Sequence, residues 1–221
     1  MRLLEIGVQN GGSLEVWARY FDNGQAFVGV DINPDCGKLA YSDPRISVVI
    51  GDAARPETQK KIFETCDVFD VIIEDGSHTS PDIIRTFATM FPHLTTSGVY
   101  IAEDMCCGYW KDFDGGLDNP MSAPSFFKAL SDCVNAEHWD VDRTPSDYLK
   151  PFADFYSFDA EAIGLDQLHA VTARNSMFVV EKSSAKANTI GPRIVRGGEA
   201  LVEPRVLEMD NTLISSVRQS D

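Results

Sequence analysis

The sequence predicts an α/β fold: one doubly wound sheet, mostly parallel, closed by an antiparallel C-terminal hairpin. Short β-branched runs alternate with helical patterns along most of the chain, the rhythm of strand and helix units that build a parallel sheet. Several runs, among them VVI at residues 48–50 and VII at residues 71–73, are apolar on successive residues, which suits strands buried on both faces between helices. Successive runs stop at Gly7, Asp31, Asp52, Asp75 and Asp104. Open parallel sheets bind ligands beyond the carboxyl ends of their strands, so these five positions are expected along one edge.

Leu3, Leu4, Glu5 and Ile6 form the first expected strand, running into a loop with Gly7, Gly11, Gly12 and Ser13. Leu14, Trp17, Ala18 and Phe21 then fall at i, i+3, i+4 and i+7, one apolar helix face that Asn23-Gly24 can end. Residues 26–30 and 46–50 are the second and third strands, and Pro56 suits the first turn of a short helix with Ile62 and Phe63 inside. The fourth strand lies in VFDVIIEDGSH, residues 68–78. Ser80-Pro81 reads as helix N-cap and first position, with Ile83, Phe87, Met90 and Leu94 as the buried stripe. Thr96-Ser97-Gly98 is expected to turn the chain into the fifth strand, VYIAED. Residues 106–124 are too irregular for an element and read as a loop for substrate recognition. Residues 125–138 have helical spacing, residues 140–164 are ambiguous, and residues 167–173 and 176–181 flank Arg174-Asn175 as a closing hairpin.

At 221 residues the chain can bury one substantial core. A single domain is expected over residues 1–182, with a polar tail over residues 183–221 that is disordered or an arm on a partner subunit. The net charge of −15 argues against nucleic acid and anionic membranes, both of which attract Lys and Arg. No apolar run reaches transmembrane length, and Met1-Arg2 leads straight into a strand, so the expected location is cytoplasmic. Five cysteines without C-x-x-C make neither a disulfide framework nor a zinc site.

The chemistry concentrates at Glu74-Asp75 and Glu103-Asp104, two acid pairs expected at one mouth. Clustered carboxylates repel unless a cation sits among them, and oxygen ligands favour Mg²⁺, Ca²⁺ or Mn²⁺. His78, just past the first pair, is the candidate proton carrier, whereas His93, His138 and His169 read as surface or packing residues. Glycines at the first turn let the backbone approach a ligand, and Asp31 can accept both hydroxyl hydrogens of a ribose. Gln9 stands where a dinucleotide fingerprint needs its second glycine, which argues against NAD.

The glycine loop followed by Asp31 and Gly51-Asp52 resembles the class I S-adenosylmethionine-dependent methyltransferases, which are Rossmann-like. EIGVQNGGS, EDGSH, VYIAEDMCCGYW and NSMFVVEK together resemble, more narrowly, the macrocin and mycinamicin sugar O-methyltransferases, features shared by cephalosporin-hydroxylase-like proteins. The likeness runs over residues 3–182. It implies a Mg²⁺-dependent enzyme that methylates a hydroxyl of a small, glycosylated acceptor and assembles as a homo-oligomer. Glu5, Gly7 and Ser13 would lie near the methionine part of S-adenosylmethionine, Asp31 at the ribose, and Asp52 and Ala53 at the adenine. Asp75, Glu103 and Asp104 would hold the metal, His78 would be the base, and Glu74 a supporting residue. Cys106-Cys107 departs from the family pattern beside the metal. Two other readings stand beside this one: a metal-dependent oxygenase, which commonly needs two histidines and one carboxylate, and a non-catalytic nucleotide-binding protein.

Overall fold

The computed structural model describes residues 1–213. Strands β1 (Arg2–Ile6), β2 (Ala26–Asp31), β3 (Ile46–Ile50), β4 (Phe69–Glu74) and β5 (Leu94–Ala102) run parallel, and β6 (Leu168–Arg174) and β7 (Met177–Lys182) form an antiparallel hairpin. They make one sheet in the order β3-β2-β1-β4-β5-β7-β6, with β7 antiparallel to β5. The chain winds outward from β1 in both directions, so the strand order reverses between β1 and β4. Such a reversal point opens a crevice at the carboxyl ends of the strands.

Alternation along each strand assigns its side chains to two faces. Leu4, Ile6, Val28, Val30, Ile72 and Tyr100 share the main core with α2 (Pro56–Thr65), α3 (Ser80–Met90), α4 (Ala123–Cys133) and α5 (Pro145–Tyr156). Leu3, Phe27 and Ile73 face the other way and pack under Ala18 and Trp17 of α1 (Gly12–Tyr20). Helices on both faces explain why the centres of these strands are mostly apolar on both faces.

Several expectations shift. Ser80 is the first residue of α3 and Thr79 its N-cap; the buried Ser80 hydroxyl instead accepts from Ala123 N–H, joining α3 to the start of α4. Residues 96–98 lie inside β5, where Ser97 takes φ 77° and the register with β4 slips, so the expected turn is a bulge. Leu94 accordingly opens β5 and leaves the α3 stripe. Residues 106–124 contain two short 3₁₀ turns, Cys107–Tyr109 and Lys111–Phe113, and α4 begins at Ala123 and ends at Cys133, earlier at both ends than expected. The ambiguous stretch holds α5, started by a reciprocal Thr144–Asp147 capping box and Pro145.

Past Lys182 the chain stays attached through side-chain bonds: Asn188 donates to Asp166 O and meets His169, and Ile190 N–H reaches Glu137. Residues 214–221 of the expected tail lie outside the described residues. Among the described residues no helix is long and apolar enough to cross a membrane.

Candidate functional site

The loop after β1 is shaped by two close approaches. Gly7 has φ 96°, and a Cβ there would stand 2.0 Å from the Asp75 carbonyl oxygen, so only glycine lets β1 end against β4. Gly11, at φ 73°, caps α1 without a side-chain bond, which leaves first-turn N–H groups of the helix for a ligand. Glu5 pins the loop from below: Ser13 Oγ donates to its Oε1 and Trp17 Nε1 to its Oε2 at 2.6 Å. Burial raises the Glu5 pKa against these two bonds. Asp31 holds the loop from the side. Its Oδ2 accepts from Val8 and Gln9 N–H, both at 2.9 Å, and its Oδ1 from Asn33 N–H at 2.8 Å. Burial pushes the Asp31 carboxyl up, but the N–H groups of Asn33, Gln9 and Val8 outweigh it and hold the group below its ordinary value. Three of its roughly four acceptor positions are therefore filled by the chain, leaving one for a ligand hydroxyl.

The acid pairs divide across the sheet. Asp75 and Glu103 continue the face of Ile73 and Ile101, on the side of Glu5, whereas Glu74 continues the opposite face of Ile72. The pairs thus do not converge whole at one mouth, as composition alone suggested, because neighbouring residues on a strand point to opposite faces. Asp75, His78 and Asp104 bring one ligand atom each to within 4.8 Å of one another. His78 sits at φ 58° and Asp104 at φ 48°, both left-handed, and His78 Nε2 is 3.9 Å from Asp104 Oδ2. His78 Nδ1 is buried without a partner. Glu103 lies outside that trio, its N–H continuing the ladder to Glu74 O. Its carboxyl nonetheless shares the field: burial raises it first, then Asp75, Asp104 and Glu5. Burial also raises Asp75, with His78 opposing and Asp104 adding. Carboxyls driven up by burial and by one another, at hard oxygen donors, fit a divalent cation.

Two cavities meet along this edge and share Gly7, Asp31 and Gly76. The larger, about 690 Å³, runs from Glu5 and the glycine loop past Ser13 to Asp75, His78 and Asp104. The smaller, about 210 Å³, lies on the α3 side between Ile6, Val30, Asp52, Ala53, Glu74 and Thr86. Asp52 accepts from Ala54 N–H at 2.9 Å and pairs with Arg55 at 3.4 Å, so its carboxylate shapes the turn after β3.

Residues 4–105 match the family model for a methyltransferase domain. The chain carries a methyltransferase domain. Mycinamicin VI 2''-O-methyltransferase of Micromonospora griseorubida is 32% identical over 211 residues, 92% of this chain and 49% of that protein. 8-demethyl-8-alpha-L-rhamnosyl tetracenomycin-C 2'-O-methyltransferase of Streptomyces olivaceus is 35% identical over 138 residues, 59% of this chain and 35% of that protein. Among solved structures, the MycE methyltransferase of the mycinamycin biosynthetic pathway, in complex with Mg and SAH, aligns with a TM-score of 0.70 at 28% identity over 91% of this chain and 49% of that one. Its complex with Mg, SAH and mycinamycin VI aligns with a TM-score of 0.69 at 27% identity over the same shares. The chain spans about half the length, or less, of these relatives.

Within the methyltransferase domain, Glu5, Gly7, Ser13 and Asp31 meet at the larger cavity together with Asp75, His78 and Asp104, while Asp52 and Ala53 line the smaller one. The sequence placed Trp17 on an apolar helix face but not its bond to Glu5, and it did not single out Ser77, Asp82 and Thr86 of the smaller cavity. Asp82 and Thr86 are i and i+4 on a helix that begins just past His78, and that spacing was a usable signal.

Proposed function

We propose that this chain is an S-adenosylmethionine-dependent, Mg²⁺-dependent O-methyltransferase acting on a sugar hydroxyl of a glycosylated natural product or polysaccharide. The observation that carries the reading is the meeting of Asp75, His78 and Asp104 within 4.8 Å at the rim of the cavity that the glycine loop and Asp31 also line. In support, the mycinamicin and rhamnosyl-tetracenomycin relatives are sugar O-methyltransferases, and MycE binds Mg and SAH.

A bound divalent cation lowers the pKa of a coordinated hydroxyl, and the sulfonium cofactor supplies the methyl group. Asp75 and Asp104 would hold the cation, and Glu103, whose carboxyl shares their field, would complete its oxygen donors. His78 takes the hydroxyl proton at Nε2, the ring nitrogen turned to Asp104, since Nδ1 is buried. Asp31 orients the ribose with its remaining acceptor position. The uncapped first turn of α1, with Ser13 and Gly7, receives the amino-acid end, and Asp52 and Ala53 flank the base. The loop over residues 105–122, which leaves directly from Asp104, takes the acceptor. The oxygenase reading is weaker, because this group holds one histidine where open iron sites commonly take two.

Residues 1–182 form the catalytic unit in this proposal. The segment beyond, with Ile190, Ile194, Leu201 and Val202 exposed, is an arm for a second copy in a cytoplasmic homo-oligomer with no nucleic-acid partner. Calorimetry and a methyl-transfer assay test the core of it. S-adenosylmethionine binds and NADH does not, and turnover on a glycosylated acceptor stops with EDTA and returns with Mg²⁺; transfer that survives exhaustive chelation removes the metal from the reading.

A further inference from the structure

The chain segments that leave His78 and Asp104 lead to a third cavity. Pro81 and Arg85 of α3, Lys111 and Asp114 of the loop after β5, and Phe155 and Tyr156 of α5 line a cleft of about 590 Å³. Pro81 follows His78 by three residues, so their Cα atoms lie no more than about 11 Å apart. The frame of the cleft is fixed by Tyr156, whose hydroxyl donates to Met121 O at 2.6 Å and whose carbonyl accepts from Arg85 Nε at 3.0 Å. Loop, α5 and α3 are thereby tied together. Among the described residues, the Arg85 Nη1 and Nη2 groups, the Lys111 ammonium and the Asp114 carboxylate have no hydrogen-bond or ion-pair partner. Two cations thus stand without a carboxylate in a chain of 34 acids and 19 bases. Phe155 is 64% exposed, its ring set edge to face against Tyr156 with centroids 4.8 Å apart.

Free donors, a free acceptor and an exposed aromatic face on one tied frame suit a ligand that is polar at its edges and apolar on a face. A sugar ring has that character. Its hydroxyls donate and accept, and its C–H groups can lie against the negative face of an aromatic ring. Arg85 offers N–H groups in a fixed fork, while Asp114 accepts from hydroxyls and repels an anion. Resting on the proposed sugar acceptor, we propose that this cleft holds a second sugar ring of the acceptor, next to the ring that is methylated. Phe155 takes its apolar face, Arg85 donates to its hydroxyls and Asp114 accepts from them.

The test is a ligand-observed NMR titration of the full chain, with Mg²⁺ and S-adenosylhomocysteine present, for the parent, Phe155→Ala and Arg85→Met. The probes are methyl α-L-rhamnopyranoside and a two-ring methyl dirhamnoside. The parent binds the two-ring probe about tenfold more tightly, and in both variants that advantage falls to within about threefold. Phe155 is exposed, so its truncation keeps the test valid even if Arg85→Met loosens α5. A role confined to the tie between Arg85, Tyr156 and Met121 weakens both probes alike. An unchanged ratio in the folded variants, or a parent without preference, therefore overturns the second-ring site. A probe with glucuronate as its second ring that binds ten or more times more tightly than the neutral one marks an anion site and overturns it too. In each of these cases the binding of the one-ring probe leaves the sugar-methylation reading standing, whereas a parent that binds neither probe overturns both.

Discussion

His78 occupies a left-handed backbone position, φ 58°, which costs a non-glycine residue of order 1–3 kcal/mol and persists where surrounding contacts enforce it. The strain turns the imidazole back toward Asp104. Replacing a general base typically costs 10²–10⁴-fold in rate, so His78→Ala is expected to lose about that much turnover. Binding of S-adenosylhomocysteine and Mg²⁺ by calorimetry should stay near the parent's; turnover within a few-fold of the parent would put the base elsewhere. Asp31 acts differently, because its carboxylate is already an anchor for Val8, Gln9 and Asn33 N–H. Asp31→Ala removes the proposed ribose acceptor and frees the loop at once. Bonds to a charged acceptor are worth about 1.5–3 kcal/mol, so cofactor affinity should fall by about tenfold or more. A dissociation constant within threefold of the parent's would mean that Asp31 serves the loop alone.

At the scale of elements, Arg45 ties the end of α1 and the turn that follows it to the start of β3. Its guanidinium donates to the carbonyls of Ala18, Phe21, Asp22 and Gly24, closing the end of α1, and binds Asp43 at 2.7 Å. These bonds from Arg45 hold the Asp43 carboxyl at about 2 against an ordinary 3.8. A depressed acid contributes stability that is present above its unfolded pKa and lost as pH falls through the folded one. Thermal melts of the parent and Asp43→Asn should accordingly differ at about pH 5 and converge as the pH approaches 2; a constant difference across that range would assign the effect to packing. Nothing in the spacing of residues 43–45 announces this staple, since its carbonyl acceptors lie 21 or more residues away. By contrast, α5, in the stretch over residues 140–164 that reads as ambiguous, carried a local signal at its start. Thr144, Pro145 and Asp147 spell a capping box and a first-turn proline, but Pro151 within the helix obscures its continuation.

For the whole molecule, a net charge of −15 with raised carboxyls at Asp75 and Glu103 makes the folded state responsive to cations. A ligand that binds only the native state at a hundred times its dissociation constant adds about 2.7 kcal/mol, or about 5–10 °C at this chain length. Mg²⁺ is expected to raise the melting temperature by about that much in the parent and not in Asp75→Asn. Equal shifts in both proteins would assign the effect to general screening of the negative surface.

The alternation of apolar runs with helical spacing, and the glycine or acid at the end of each run, determined by themselves that this is a doubly wound sheet with a polar edge. Those patterns are local and periodic, and burial on both faces leaves its mark on every strand residue. Which acid meets which was decided only in three dimensions. Adjacent residues on a strand face opposite sides, so Glu74 and Asp75, side by side in sequence, enter different cavities. The trio of Asp75, His78 and Asp104 forms because β4 and β5, past the bulge, pair Glu74 with Ala102 and so end side by side. Contacts of that kind depend on strand order and on left-handed turns at His78 and Asp104, which residue spacing along the chain does not encode.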